Sequence, residues 1–266
     1  MLIALVTRSF ERARGLLAAL VVVMCGFQVV LAILASEMAR TNTFSLLTTL
    51  IPAAVQNLAG GMVFTTFGGF AAFGFFHPVV VLVFCGSAIF LASEPAWEVE
   101  AGLVDLTLAR AIPRALVMTR TLLVTCGATT GIAFLMALAA RVSMTALAQP
   151  GTAIPAFRTT TALAGNLLVL GWWFGALSLL GSAFARRRSV AAGVAGLAAV
   201  GLYLLNLYAE MSPRATAVRP LLPFHYFNAS AILRGASTWP RDVAILLIAA
   251  AVMAAVSYRV YEQRDL

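Results

Sequence analysis

Few residues in this chain of 266 amino acids could carry catalytic or metal chemistry. All 18 of its Lys and Arg residues are arginine, which excludes a phosphate-binding Walker loop and Schiff-base chemistry, because both require a lysine. The two histidines, His77 and His225, lie far apart, and the sequence contains neither an HExxH pair nor a GxSxG nucleophile elbow. The three cysteines lie in apolar runs without CxxC spacing, which argues against a disulfide framework and a zinc knuckle. We therefore predict no catalytic residue, no metal site and no cofactor.

Acidic residues form a pattern only in residues 94–114, which read EPAWEVEAGLVDLTLARAIPR. Pro95 suits the first turn of a helix, and Pro113 would end it. Between them an apolar stripe repeats at helical spacing, and Glu98 and Asp105 share another face. The pattern predicts a short amphipathic helix at the membrane surface with its acids towards water. Such a helix is either a connector among lipid headgroups or a docking element for a soluble protein, and the pattern alone leaves both open.

The elements that position these residues are predicted to be membrane helices. Hydrophobic residues make up 62% of the chain and charged residues 11%, against about 45–50% and about 25% in soluble domains. Because a bilayer core requires about 20 apolar residues of helix, we predict a single all-α integral membrane domain over residues 1–266 with six spans. The predicted spans are about 16–35, 70–92, 115–140, 163–184, 190–208 and 243–258.

Residues 41–63 allow two interpretations. Thr, Asn and Gln residues occur throughout residues 41–57, which favours an amphipathic helix at the membrane interface, ended by Gly60 and Gly61. A membrane crossing by residues 44–63 would instead give seven spans. We predict six, with both termini on the same side.

Arginine placement predicts the orientation of the chain. Eleven of the 18 arginines fall on the side of the termini, and four of the other seven lie in the long last loop. The three arginines at 186–188, in a very short loop, are the strongest indicator, because short basic loops stay in the cytoplasm. We expect cytoplasmic termini. The arginines are dispersed at the ends of apolar runs, so the net charge of +8 does not indicate a nucleic-acid partner.

The order of these elements resembles the type-2, exporter-type ABC transporter permeases of bacteria. Their usual pattern is a span that ends in an acidic residue, followed by E-x-G-T-L-D-L-L-L-A-R-P-V-S-R. The matching positions here are Glu100, Gly102, Asp105, Leu106, Leu108, Arg110 and Arg114. The chain departs from the pattern at Val104, at residues 111–113, and at Arg120, where lysine is common. Its C-terminal tyrosines followed by Arg-Asp-Leu also resemble the family, and the similarity extends over nearly the whole chain.

The resemblance implies a permease subunit in a bacterial inner membrane, paired with a second permease subunit as a homo- or heterodimer above two separate ABC-type ATPase subunits. Residues 2–14 would form an amphipathic elbow, residues 95–110 a cytoplasmic coupling helix, and residues 209–242 a long last external loop. The residues implied in docking the ATPase are Trp97, Glu98, Glu100, Gly102, Asp105, Arg110 and Arg114. The chain itself would not be an enzyme, because the ATPase activity would belong to the partner.

Four further residues, His77, Phe224, His225 and Tyr226, are candidates for a substrate path. His77 precedes Pro78, which can bend a span, and it is also explained as a partner for carbonyl groups freed by the proline. The other three equally fit an aromatic belt at the membrane interface.

No ionisable residue falls at the centre of a predicted span, which argues against a proton-coupled carrier. An ATP-driven exporter of a lipid-like or amphipathic substrate is the leading expectation. An ATP-independent secondary carrier and a membrane assembly scaffold are the alternatives.

Overall fold

The computed structural model describes residues 2–50, 65–103, 113–235 and 239–264. Within these ranges the regular elements are all helical. The α-helices are α1 (Leu2–Arg40), α2 (Thr43–Leu50), α3 (Phe67–Ala72), α4 (Pro78–Ala92), α5 (Glu94–Glu100), α6 (Arg114–Leu147), α7 (Phe157–Phe184), α8 (Arg188–Met211), α9 (Ala229–Leu233) and α10 (Trp239–Gln263). Short 3-10 helices cover Phe73–Phe75, Pro213–Leu221 and Pro223–Tyr226.

Six segments in the described parts of the chain are long and apolar enough to span a membrane. They are α1, α3 together with α4 (Phe67–Ala92), α6, α7, α8 and α10. Each of the six predicted spans lies inside one of these segments, so the prediction of an all-α, multi-pass membrane protein is confirmed. The segment that distinguishes six spans from seven lies largely outside the described residues, since the structure describes α2 but not residues 51–64.

The predicted amphipathic elbow at residues 2–14 is not a separate element. Residues 2–40 form one continuous helix of 39 residues, about 58 Å long at 1.5 Å per residue. No proline interrupts this stretch, and its two glycines, Gly15 and Gly26, are tolerated inside a helix. Phe10 of α1 lies beside Gly127 of α6, whereas Ser36 lies beside Leu147. The stretch of α1 between these two contacts, from Phe10 to Ser36, is longer than the stretch of α6 from Gly127 to Leu147. Helix α1 is therefore inclined or curved relative to α6.

The predicted second span is interrupted. α3 runs through a 3-10 turn, Phe73–Phe75, and α4 begins at Pro78. Proline has no N–H to continue the helical hydrogen bonds, and its ring disfavours helical geometry in the preceding residue. His77 accordingly has ψ 129°. The break at Pro78 lies about 22 Å from Ala92, the last residue of α4, because the helix has 15 residues with a rise of 1.5 Å each.

Helix α7 lies at the centre of the bundle and packs against α4, α6, α8 and α10. Gly171 allows the close approach to α4, because a β-carbon there would lie 2.6 Å from Phe84 Cε1. A β-carbon at Gly175 would make an ordinary contact with Ala88 Cβ at 3.5 Å and a tighter one with Thr125 Cγ2 of α6 at 3.3 Å. Further along the same contact, the Ser178 hydroxyl donates to the Ile89 carbonyl oxygen at 2.9 Å. The small residues of α7 therefore serve packing within this chain.

Both ends of the described chain lie at the same end of the bundle, beside α5. Ser9 near the start of α1 contacts Glu94, and Arg264 after α10 contacts Ala185 at the end of α7. At the opposite end, the predicted long last loop is folded rather than extended. Its two 3-10 helices and α9 bury Leu222, Phe224 and Ile232.

Candidate functional site

The candidate site is the charged cluster around α5, the helix that follows α4 at the end of the bundle that holds both termini. Pro95 stands in its first turn, where a missing N–H costs nothing. The Ser93 hydroxyl before it donates to the Phe90 carbonyl oxygen at 2.7 Å. After α5, Gly102 has φ +66°, a left-handed conformation that suits glycine and ends the helical path. The acids of this short helix are therefore held in defined positions.

Glu98 forms a bidentate ion pair with Arg120 of α6. Arg120 Nη1 donates to Glu98 Oε1 at 2.6 Å, and Nη2 donates to Oε2 at 3.2 Å. Both residues are buried, with relative exposures of 6% for Glu98 and 3% for Arg120. Paired geometry of this kind offsets the cost of removing two charges from water, and loss of one partner would leave an uncompensated buried charge.

Glu94 connects α5 to α1. Its Oε1 accepts hydrogen bonds from the Ser9 hydroxyl at 2.9 Å and from Arg12 Nη1 at 3.3 Å. Its Oε2 lies 3.8 Å from Arg120 Nη2, so the same carboxylate also approaches α6. The Arg12 guanidinium lies 4.4 Å from the ring centroid of Trp97 and covers that indole.

Glu100 connects α5 to α8. Its Oε2 accepts a hydrogen bond of 2.9 Å from the backbone N–H of Arg188, the first residue of α8. A carboxylate at this position is stabilised by the unpaired N–H groups and the dipole of a helix N-terminus. The Arg188 side chain returns to the end of α4, where it donates to Ser93 Oγ at 3.0 Å and to the Phe90 carbonyl oxygen at 2.8 Å.

The three acids of α5 therefore bind three different spanning helices. Glu94 binds α1, Glu98 binds α6, and Glu100 binds the start of α8. Any displacement of α5 must either move these helices or break these polar contacts, of which those of Glu94 with Ser9 and of Glu98 with Arg120 are buried. The arrangement can transmit a mechanical displacement.

Burial of Glu98 corrects the prediction that the acids of this helix face water. The Glu98 carboxylate points into the bundle and is committed to Arg120, so a partner protein could not contact it without breaking that pair. Trp97 is half-buried, whereas Glu100 and Gly102 are exposed. Asp105 and Arg110 lie outside the described residues. Among the described residues 94–103, the exposed ones are Glu100, Ala101 and Gly102, at the end of α5.

Arg114 belongs to a second set of contacts at this end of the bundle. It starts α6 and donates to the carbonyl oxygens of Glu262, at 3.3 Å, and Arg264. Arg264 in turn donates to the carbonyl oxygens of Ser182, Ala183 and Ala185, at 3.4, 3.2 and 3.0 Å. These three carbonyl oxygens lie at the end of α7, where no N–H of the helix donates to them. Arg264 therefore caps α7.

Sequence reasoning missed Ser9, Arg12, Arg120 and Arg188 as members of the cluster. One signal could have found Arg120, because it is a charged residue inside a predicted span and such a residue requires a partner. Nothing in the sequence indicates which acid that partner is. The contacts join residues 22 and 85 positions apart for Arg120–Glu98 and Ser9–Glu94.

The four substrate-path candidates occupy two separate places. His77 lies at the break of the second span, with its ring centroid 5.1 Å from that of Phe27. Phe224 is inserted between α7 and α8, with ring centroids 5.4 Å from Phe174 and 5.3 Å from Tyr203. The rings of His225 and Tyr226 pack against each other at 5.1 Å, and the Tyr226 hydroxyl donates to the Pro220 carbonyl oxygen at 2.6 Å.

His225 has an altered acidity. Partial burial lowers the pKa of its imidazole, and the charge of Arg219 lowers it further, while Asp242 and Glu210 act in the opposite direction. The neutral imidazole is thus favoured in the folded last loop.

Within the described ranges, no three His, Cys, Asp or Glu side chains group closely enough to hold a metal ion. Comparison with known proteins adds no identification, since no protein-family model matches the chain and no curated protein matches it significantly.

Proposed function

We propose that this chain is the permease subunit of an ATP-driven exporter in a bacterial inner membrane, with both termini in the cytoplasm. Separate ATPase subunits would bind beneath it, and a second permease subunit would complete the transporter. The observation that carries the proposal is the position of α5, whose three acids each bind a different spanning helix.

The proposal requires an element that passes movement from a soluble partner to the membrane helices. α5 suits this role because displacement at its exposed end is carried by hydrogen-bonded carboxylates to α1, α6 and α8. Surface charge pairs mainly guide association, whereas the buried pairs within the chain resist separation. The partner would therefore bind the exposed Glu100 to Gly102 end, and the Glu98–Arg120 pair would transmit the movement.

The resemblance of residues 94–114 to exporter-type permeases supports the same role. The absence of lysine from the chain requires that a Walker-type ATPase be another protein. Apart from the buried pairs near α5, the spans carry no ionised group at their centres. We therefore propose a lipid-like or amphipathic substrate, since intramembrane charges mark ion and proton pathways.

Co-purification with the ATP-binding subunit of the same transporter tests this proposal. We expect the purified chain alone to hydrolyse no ATP, and the complex to hydrolyse ATP in vesicles. Ala101→Arg, at the exposed end of α5, should reduce co-purification by about tenfold, which corresponds to about 1.4 kcal/mol of binding free energy. Glu37→Arg, exposed at the opposite end of the bundle, is the matched control and should leave co-purification unchanged.

A secondary carrier is the second candidate, and the broken second span favours it. Interrupted spans form the substrate and ion sites of many secondary transporters. A transport assay in vesicles that contain this chain alone distinguishes the two functions. Transport driven by an ion gradient without an ATPase would contradict the exporter proposal and support the carrier.

A further inference from the structure

Gln28 of α1 is completely buried in the membrane part of the bundle, yet its side-chain amide has no hydrogen-bond partner. Its relative exposure is 0%, and neither its Nε2 nor its Oε1 has a partner. An unpartnered amide in an apolar interior is costly, and native proteins resolve such groups with water, an ion or a ligand. The Gln28 side chain is therefore a polar group that awaits a partner within the membrane.

The amide lies directly against the break of the second span. A β-carbon at Gly74 would overlap the Gln28 amide, so only glycine permits this approach. Gly74 is buried. Its carbonyl oxygen loses the usual donor four residues ahead because that residue is Pro78. The N–H three residues ahead, of His77, instead donates to the Phe73 carbonyl oxygen at 2.8 Å.

His77 adds a third polar group to the same place. Its Nδ1 is buried and has no hydrogen-bond partner. Its ring is held between Phe27, the neighbour of Gln28, at 5.1 Å and Phe73, the neighbour of Gly74, at 5.0 Å between ring centroids. The break in the second span thus combines an unpartnered amide packed against Gly74, a carbonyl oxygen without its helical donor, and an unpartnered imidazole nitrogen on a ring that contacts the chain neighbours of Gln28 and Gly74.

We infer that Gln28, Gly74 and His77 form a polar site within the membrane that binds a hydroxyl group. A hydroxyl both donates and accepts, so one group can satisfy the Gln28 amide and the Gly74 carbonyl oxygen together. The five ion pairs found in the described chain involve neither Gln28 nor His77, so the site suits an uncharged group. The hydroxyl comes from water or from an amphipathic molecule that enters from the bilayer. This site does not depend on the proposed function.

Thiol labelling tests the site in the full chain reconstituted in vesicles, with Cys25, Cys85 and Cys126 replaced by alanine. 2-Aminoethyl methanethiosulfonate reacts with a thiolate, which forms only where water or another hydroxyl solvates it. We expect His77→Cys to react at least tenfold faster than Phe70→Cys, the control two turns earlier in the chain, which is partly buried like His77. Equal reactivity at the two positions would overturn the inference.

Two probes of equal chain length, n-octanol with a hydroxyl group and n-octane without one, then distinguish the sources of the hydroxyl. Slower labelling of His77→Cys in the presence of n-octanol, but not n-octane, assigns the site to an amphipathic ligand. Labelling unaffected by either compound assigns it to water. Both results support a hydroxyl site.

Substitution of Gln28 gives an independent test by thermal unfolding. If a hydroxyl occupies the site, Gln28→Leu removes its main partner and lowers the melting temperature. If the site is dry, the same change removes an unpartnered amide and raises the melting temperature, which would overturn the inference. Met24→Leu, one turn earlier on α1 and also buried, is the volume-conserving control and should change the melting temperature little.

Discussion

Arg120 and Glu98 illustrate what a charged residue requires in an apolar bundle. Arg120 lies in the second turn of the membrane helix α6, and it is tolerated there because Glu98 binds its guanidinium with both carboxylate oxygens. The exposed pair Arg40–Glu37 has a similar separation of 3.1 Å, but both of its side chains are more than half exposed. Similar distances therefore correspond to different energies, because solvent screens the second pair and not the first.

Removing Glu98 should destabilise the protein strongly. We expect Glu98→Ala to lower the free energy of unfolding towards the lower end of about 3–5 kcal/mol, since Arg120 would lose its bidentate partner and keep only the Glu94 carboxylate, 3.8 Å away. Glu37→Ala should cost no more than about 1 kcal/mol, because its partner stays in solvent. Denaturant unfolding in detergent measures both. The double change Glu98→Met with Arg120→Met should recover much of the loss, and failure to recover would contradict the ion-pair explanation.

Acidification should weaken the folded last loop through His225. Because burial lowers the pKa of this imidazole in the folded state, the unfolded loop binds the proton more readily. The contribution of neutral His225 to the stability of the folded loop is then complete above the ordinary histidine pKa of about 6.5. It decreases as the pH falls below that value. Limited proteolysis of residues 213–235 at pH 7.5 and pH 5.5 measures the change. The His225→Gln variant should lose this pH difference, and an unchanged difference would assign it to other groups.

At the scale of elements, α7 shows how the bundle is assembled. Its contacts with α4 use Gly171, where a side chain would collide with Phe84, and serine hydroxyls that donate to carbonyl oxygens of the neighbouring helix. Between membrane helices the hydrophobic effect is weak, so close packing and such hydrogen bonds supply much of the association energy. The approach of α7 to α4 in turn fixes the end of α4, from which α5 begins.

Gly171 and Gly165 provide a matched pair within α7. A β-carbon at Gly171 would lie 2.6 Å from Phe84 Cε1, whereas one at Gly165 would meet nothing within 4 Å. We expect Gly171→Ala to destabilise the protein by about 1–3 kcal/mol through overpacking. Gly165→Ala should be neutral or stabilising by up to about 1 kcal/mol, because alanine favours the helix. Thermal unfolding of the two variants checks the difference, and equal effects would contradict the close contact.

At the scale of the whole molecule, the described contacts place both termini, α5 and the end of α7 together at one end of the bundle. The opposite end holds the junction between α6 and α7, where Arg141 donates to the Pro155 carbonyl oxygen at 3.0 Å, and the folded last loop. Basic residues are more frequent at the first end, and on the positive-inside rule we propose that this end faces the cytoplasm. Our exporter proposal requires this orientation, because ATP is available only there.

Labelling from outside the cell tests the orientation. On a background without cysteine, Thr216→Cys in the last loop should react with a membrane-impermeant maleimide, whereas Gln263→Cys at the end of α10 should react only after the membrane is opened. Both positions are exposed in the structure, so burial does not limit either reaction. Labelling of Gln263→Cys alone in intact cells would reverse the orientation and remove the basis for a cytoplasmic ATPase at α5.

The sequence by itself determined the class of the protein and the location of its six spans. Partition of a segment into lipid depends on the summed transfer free energy of neighbouring residues, and this sum can be read along the chain. The same reasoning located the start of the short acidic helix at Pro95, because proline positions and apolar spacing are local features. The helix ends at Glu100 rather than near Arg110, and residues 104–112 lie outside the described part of the chain. The distribution of arginine likewise predicted an orientation without reference to any contact.

Only the tertiary structure decided which way the side chains of these helices point. A membrane helix has apolar residues on the face towards lipid and on the face towards the bundle, so hydrophobic periodicity does not distinguish the two. The prediction that Glu98 faces water was wrong because its partner Arg120 lies on another helix, 22 residues away in the sequence. Gln28 and Gly74 meet across 46 positions for the same reason, since contacts between helices depend on packing geometry that no local pattern records.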